Sequence, residues 1–367
     1  MAKRKLNRRQ KWRVEKVQEE RTQRAQKRER DISRQLQAGD LSAEQEGIVI
    51  AHFGQLLSVE ALEGEDKGKI HSCHVRANIE SLVTGDRVIW RAGKDFTGVI
   101  EARLERETIL QRPDNFGNLK PVAANIDYIV IVIAPEPEPF QGLVDRYIVA
   151  AETVGIPPVI LLNKTDLLTD ENRKPIDEMM ELYESLGYHT IRASVKPSYV
   201  MASQEDCSDG DSSGNEGMSE LLDWLDEHTS VFVGQSGVGK SSLIQALLPE
   251  HDIRVGALSE NTRKGTHTTT TAKLFHLPSG GDLVDSPGIR EFGLWHIGEQ
   301  ELLEGFIEFR PHLGFCRFRD CHHEKEPNCA IIGAVASGEI SERRMESYRR
   351  IKHAIKDQNE RGLMLRD

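Results

Sequence analysis

The segment Gly234-Gln235-Ser236-Gly237-Val238-Gly239-Lys240-Ser241 fits G-x-x-x-x-G-K-[ST], and its residue types suit the holding of a phosphate chain. Glycines let successive backbone N–H groups converge on an anion. Lys240 is expected to reach the β- and γ-phosphates as a catalytic group, and Ser241, followed by Ser242, offers a hydroxyl to Mg²⁺. A second tetrapeptide, Asn163-Lys164-Thr165-Asp166, leaves the apolar run 158–162, at the end of a strand where ligands bind in parallel sheets. The Asp166 carboxylate only accepts hydrogen bonds, so it suits the N1–H and 2-amino donors of guanine, which adenine lacks. Ala193-Ser194 closes the next strand, 188–193, where a backbone N–H would meet guanine O6. Asp285-Ser286-Pro287-Gly288 follows the strand 282–284; its carboxylate suits Mg²⁺ through water and the Gly288 N–H suits the γ-phosphate. Between it and the phosphate loop lies Gly265-Thr266-His267-Thr268-Thr269-Thr270, from which one threonine, with Thr269 as the candidate, is expected on Mg²⁺.

Together these segments predict a GTP site. Intact Lys240, Ser241 and Asp285 favour hydrolysis over a scaffold that only senses GTP, and Asp166 argues against an ATPase. Many GTPases carry a water-positioning Gln just after Asp-x-x-Gly. Here the residue is Ile289, whose apolar side chain cannot orient water, which predicts slow intrinsic turnover. His267 is the polar candidate for placing the water; the alternative is that it only caps or packs its loop.

The order of the motifs is unusual. Small GTPases run from phosphate loop through switch threonine and Asp-x-x-Gly to Asn-Lys-x-Asp and the Ser-Ala-like loop. Here Asn163 to Asp166 and Ser194 precede Gly234. A sheet survives such a rearrangement because only a connection moves, the old C-terminus being joined to the first strand through a helix near 221–225.

A second chemistry lies further on. Cys316, Cys321, His323 and Cys329 supply three thiolates and one imidazole within fourteen residues, a donor set suited to closed, tetrahedral, structural zinc. His322 competes with His323 for the fourth place. Cys73 and Cys207 stand alone, and an odd total of five argues against a disulfide framework.

The elements that must position these residues follow from pattern. Residues 1–37 are rich in Arg, Lys, Gln and Glu with few apolar positions, and read as a disordered or loosely helical arm. Short β-rich runs at 47–51, 55–59, 70–75, 86–90 and 98–104, separated by Gly/Asp/Lys turns, predict an OB-type barrel over 45–112. From 126 the chain alternates β (126–134, 158–162, 188–193, 231–233, 272–277, 282–284) with α (142–154, 176–186, 221–225, 241–248), predicting a parallel sheet with helices on both faces over 113–295. The stretch 202–216 is acidic, rich in Ser and Gly, and reads as a disordered insert. Residues 296–367 are expected to be mostly helical around the Cys/His knot, with a charged helix at about 341–359.

Net charge is −11, split unevenly: residues 1–30 carry +9 and the remainder −20. A basic arm on an acidic body predicts a polyanionic partner, nucleic acid first. The longest apolar run, 128–134, is far too short to span a bilayer, and the basic N-terminus has no apolar segment behind it, so a cytoplasmic protein with no membrane partner is expected.

Beyond these readings, Ala124-Asn125-Ile126-Asp127, the motifs at 163–166, 234–242, 265–270 and 285–296, and the Cys/His knot together resemble the RsgA family of small-subunit-dependent ribosome GTPases, from about residue 47 to the C-terminal helix. The resemblance implies an OB barrel, a circularly permuted GTPase and a zinc domain in series. It implies partners in the small (30S) ribosomal subunit and its 16S rRNA, late action in subunit maturation, and hydrolysis of GTP to GDP stimulated by that subunit. It also implies a monomer holding one zinc per chain, with magnesium accompanying GTP. The insert 202–216 departs from the family, whose members are usually shorter there.

Overall fold

The computed structural model describes residues 41–53, 56–113, 119–195, 217–248, 272–285 and 297–364. The arm 1–37, the insert 202–216 with Cys207, the loop holding His267 and Thr269, and Gly288 lie outside the described residues. The chain divides into two compact units, one of residues 1–107 with 362–367 and one of residues 108–361.

In the first unit, five strands close on themselves: β1 (Gln45–Phe53), β2 (Leu56–Ala61), β3 (Ile70–Val75), β4 (Arg87–Ala92) and β5 (Thr97–Arg103). They run in the order β1-β2-β3-β5-β4, with β4 returning to pair β1. Only β3 and β5 are parallel; the other pairs are antiparallel. Alternate residues face inward, as the two-residue period of a strand requires, and Val49, Leu57, Val59, Val88, Trp90 and Ile100 form the barrel core. Gly98 is needed because a Cβ there would lie 2.7 Å from Cys73 Sγ and 2.8 Å from the Trp90 ring. The chain leaving the barrel is clipped by Arg106, whose guanidinium donates to the fully buried Asp86 carboxylate at 2.6 and 2.8 Å.

The second unit opens with a hairpin absent from the sequence reading, β6 (Ile109–Pro113) and β7 (Leu119–Ala124). The sheet follows, in the order β10 (His189–Arg192), β9 (Pro158–Leu162), β8 (Tyr128–Ile133), β11 (Thr229–Val233), β13 (Asp282–Asp285) and β12 (Lys273–His276). The first five are parallel. β12 differs from the expected parallel arrangement and runs antiparallel to β13. The cause is local: a tight turn closed by Gly280 N–H on the Leu277 carbonyl leaves no room for a crossover helix.

Strands β8 and β9 are continuous apolar runs because both faces are covered. Val130, Val132, Val159, Leu161 and Phe232 share one core with α3 (Met218–Leu225) and α4 (Lys240–Leu247). Ile129, Ile131 and Ile160, on the alternate positions, are equally buried. Helix α1 (Gln141–Val154) packs on β8 and β9, and α2 (Asp170–Ser185) on β10. In α2 the buried residues Ile176, Met179, Met180 and Tyr183 fall on one helical stripe, and Thr169 with Asn172 forms a capping box at its start.

The C-terminal segment adds α5 (Glu299–Glu304), a 3₁₀ turn (Ile307–His312), α6 (Ala330–Ser337) and α7 (Glu342–Met364). Its core is continuous with α1: Val149 and Ala150 pack among Leu302, Phe306, Phe309, Ile331 and Tyr348. A buried ionic group joins the same elements. Arg344 Nη1 lies 2.5 Å from Asp145 Oδ1 of α1, its Nε 2.6 Å from Glu308 Oε1, and Tyr183 Oη of α2 donates to Asp145 Oδ1 at 2.7 Å.

Candidate nucleotide and metal sites

Strand β11 runs into the loop Gly234 to Gly239, and α4 begins at Lys240. Val238 is buried in the core below and anchors the loop. Gly239 caps α4 with φ of 93°, and a Cβ there would collide with Asn163 Nδ2, so only glycine satisfies both the backbone and the close approach. Lys240 folds back over the loop, its Nζ donating to the Gly234 carbonyl at 2.6 Å and the Gln235 carbonyl at 2.7 Å. A charged amine curled onto its own loop is poised to exchange those carbonyls for an anion at the same place. Ser241 and Ser242 follow in the first turn of α4, and Asp285 ends β13.

The second motif reaches this loop from 75 residues away. Asn163 is buried, and its Nδ2 donates to the Val238 carbonyl at 2.9 Å. Lys164 adopts the left-handed conformation, φ 58°, and its Nζ donates to the Gly237 carbonyl at 2.7 Å and the Glu136 carbonyl at 3.0 Å. A short 3₁₀ turn, Thr165–Leu167, then carries Asp166, whose carboxylate accepts from Ser194 Oγ at the end of β10. Beyond the backbone N–H expected of Ala193-Ser194, the Ser194 hydroxyl holds the Asp166 carboxylate. Asn163, Lys164, Asp166 and Ser194 thus form one polar corner bound to the phosphate loop. The corner presents a carboxylate, and the loop an ammonium.

The Ala124-Asn125-Ile126-Asp127 segment is structural. Ile126 is fully buried with its N–H on Thr108 Oγ1 at 2.7 Å, and Asp127 Oδ2 takes the Thr229 N–H at 2.7 Å, setting β8 beside β11.

In the C-terminal segment, one ligand atom each from Cys316, Cys321, His323 and Cys329 lies within 4.8 Å of the others. Cys316 Sγ is 3.7 Å from Cys329 Sγ, and His323 Nδ1 is 3.5 and 3.3 Å from these two sulfurs. Tetrahedral zinc with Zn–S of about 2.3 Å sets its sulfurs about 3.8 Å apart, so the donor set fits that ion. His323 is buried with φ of 60°. His322, its competitor, is 66% exposed with Nδ1 turned to Glu299 at 3.7 Å. Burial pushes the Cys321 thiol up to about 12, so thiolates need a cation's countercharge there.

Sequence reasoning missed Glu326, which shapes the knot without joining it. Its carboxylate accepts the N–H groups of His322 at 3.0 Å, Glu324 at 2.8 Å and Lys325 at 3.0 Å. Such bonds, its own N–H among them, hold its carboxyl down to about 2. No spacing rule announces a carboxylate that binds its own loop.

Residues 103–295 match the family described as RsgA GTPase. The chain is 60% identical over 359 residues to a small ribosomal subunit biogenesis GTPase RsgA of Hahella chejuensis, covering 98% of each chain. It is 57% identical to that of Marinobacter nauticus over the whole of both chains. Among solved structures it resembles YjeQ from Thermotoga maritima, 30% identical with a TM-score of 0.65, over 85% of this chain and 98% of that one. YloQ, described as a circularly permuted GTPase, is likewise 30% identical with a TM-score of 0.65, over 86% of this chain and 96% of that one. The chain therefore belongs to the RsgA GTPase family and is a GTP hydrolase of circularly permuted architecture.

Proposed function

We propose that this chain hydrolyses GTP to GDP and phosphate on the small (30S) ribosomal subunit, assisting its late maturation through contacts to 16S rRNA. The observation that carries the nucleotide half is the clamp of Asn163 and Lys164 on the phosphate loop, with Asp166 and Ser194 beside it. A guanine on Asp166 and a triphosphate in the loop then belong to one ligand. Relatives named for small-subunit biogenesis, matching nearly end to end, support the ribosomal half.

In this reading the N–H groups of Gly234 to Gly239 cradle the phosphates, with Lys240 moving from its carbonyl partners to the β- and γ-phosphates. Thr165, Ser242 and Gly288 complete the GTP contacts. Ser241, Thr269 and Asp285 would hold magnesium, which neutralises charge on the phosphates. Water attacks the γ-phosphorus, the bond to the β-bridging oxygen breaks, and GDP leaves. His267 places that water. Zinc on Cys316, Cys321, His323 and Cys329 is structural. The arm 1–37 and an OB-type domain at 45–112 meet RNA, 113–295 carries the nucleotide, 296–367 forms the zinc domain, and the protein acts as a cytoplasmic monomer. No helix among the described residues is long and apolar enough to cross a membrane.

GTP turnover titrated with purified small subunits tests this. The rate should rise and saturate; a flat titration refutes the proposal. His267→Ala should keep GTP affinity and lose most of the stimulated rate. Stimulation at full strength in that variant would move the water-positioning role elsewhere.

A further inference from the structure

The turn joining β4 to β5 carries a residue that barrel construction does not ask for. Asp95 and Phe96 occupy its central positions, both with φ of 55°. Thr97 N–H closes the turn on the Lys94 carbonyl at 3.1 Å. Hairpin turns with two positive φ values favour Asn-Gly or Asp-Gly. Asp95 suits the first place, but Phe96 stands where glycine belongs, in a conformation adverse to a bulky side chain. Phe96 is 62% exposed. Phe96 therefore costs stability through its backbone and leaves apolar surface in water, which calls for a use in binding.

The ring is supported from below. The His71 ring centroid is 5.5 Å from that of Phe96 and 4.8 Å from that of Trp90. His71 is 97% buried, yet neither ring nitrogen has a hydrogen-bond partner; Asp66 Oδ2 stands 3.7 Å from Nε2. Ser72 N–H donates to the Phe96 carbonyl at 2.8 Å, fixing the turn to β3. Lys94 and Asp95 precede the ring in the same turn, and in the loop before β3 Asp66 is paired to Lys69 at 2.8 Å.

We propose that Phe96 is a stacking platform for an unpaired RNA base, with Lys94 of the same turn beside a flanking phosphate. This rests on the reading of the barrel as RNA-binding and names the residue and the form of RNA. One exposed aromatic side chain is too little for a protein interface but matches one base, and every base has a π-face. A duplex keeps its bases stacked inside, so such a platform selects single strands.

The test uses the full-length chain at about 0.3 M salt, where the screened contribution of the basic arm is small. The probes are a labelled oligouridylate, an RNA duplex and purified small subunits. Phe96→Gly should weaken oligouridylate binding about 5- to 150-fold, leave duplex binding unchanged, and hold or raise the melting temperature of the barrel. Phe96→Trp should retain affinity, and Phe96→Leu, apolar but not aromatic, should lose it. Oligouridylate binding at wild-type strength by both the Gly and Leu variants overturns the platform while leaving RNA binding by the wild type intact. Loss of subunit binding with unchanged oligouridylate binding gives the patch to a ribosomal protein and also overturns it. A wild type that binds neither RNA nor subunits sinks the RNA reading of the barrel itself.

Discussion

Replacing Arg344 with Met removes the cation at the centre of the buried ionic group while keeping most of its volume. Arg344 and Asp145 are fully buried and Glu308 nearly so, with side-chain exposures of 0%, 0% and 6%. The guanidinium makes 2.5, 2.6 and 3.1 Å contacts to the two carboxylates. Without it, both carboxylates are left in a low-dielectric interior, and the Tyr183 hydroxyl satisfies only Asp145 Oδ1. Breaking a buried pair from one side costs about 3–5 kcal/mol. For a cooperative unit of this size that is a fall in melting temperature of roughly 6–20 °C. Calorimetry on the zinc-loaded full-length chain reads it as a shift in the transition of the unit 108–361. The triple variant Arg344→Met, Asp145→Asn, Glu308→Gln removes the stranded charges and should recover at least half of the loss, since the penalty is mainly that of unpaired burial. A single variant that loses less than about 1 kcal/mol, within the range of an exposed pair, or a triple variant no better than the single, would refute the reasoning.

Three further outcomes are expected. Asp166→Asn replaces an acceptor by an amide facing guanine N1–H and N2, so GTP preference should fall and xanthine nucleotide binding rise; competition binding checks it, and unchanged GTP affinity would count against the site. Cys321→Ser should abolish a zinc content of about one per chain, whereas Cys73→Ala, buried in the barrel core, should leave it intact; elemental analysis of reduced protein decides. Glu326 has its folded-state pKa depressed to about 2 from an ordinary 4.5, so its stabilisation of the knot is full above pH 4.5 and fades as pH falls toward 2. Glu326→Gln should therefore flatten the acid limb of the stability curve between those values, and superimposable curves would remove it from the loop's support.

Residue order alone makes legible the chemistry confined to short spacing. Phosphate-loop glycines, Asn163 to Asp166 and the Cys/His knot are legible because each works within a few residues of backbone. The runs at β8 and β9 are legible because strands buried on both faces must be apolar throughout. Tertiary structure decided whatever depends on partners far apart in the chain. Asn163 meets Val238 across 75 residues, and Arg344 meets Asp145 across 199, with no local pattern to announce either. The choice of His323 over His322 turned on a left-handed backbone that aims one imidazole inward, and residue type cannot encode that between two adjacent histidines. Strand β12 runs against its neighbour because a turn, rather than a helix, joins it to β13. Apolar pattern reports burial but not direction, so only the fold could supply that connection.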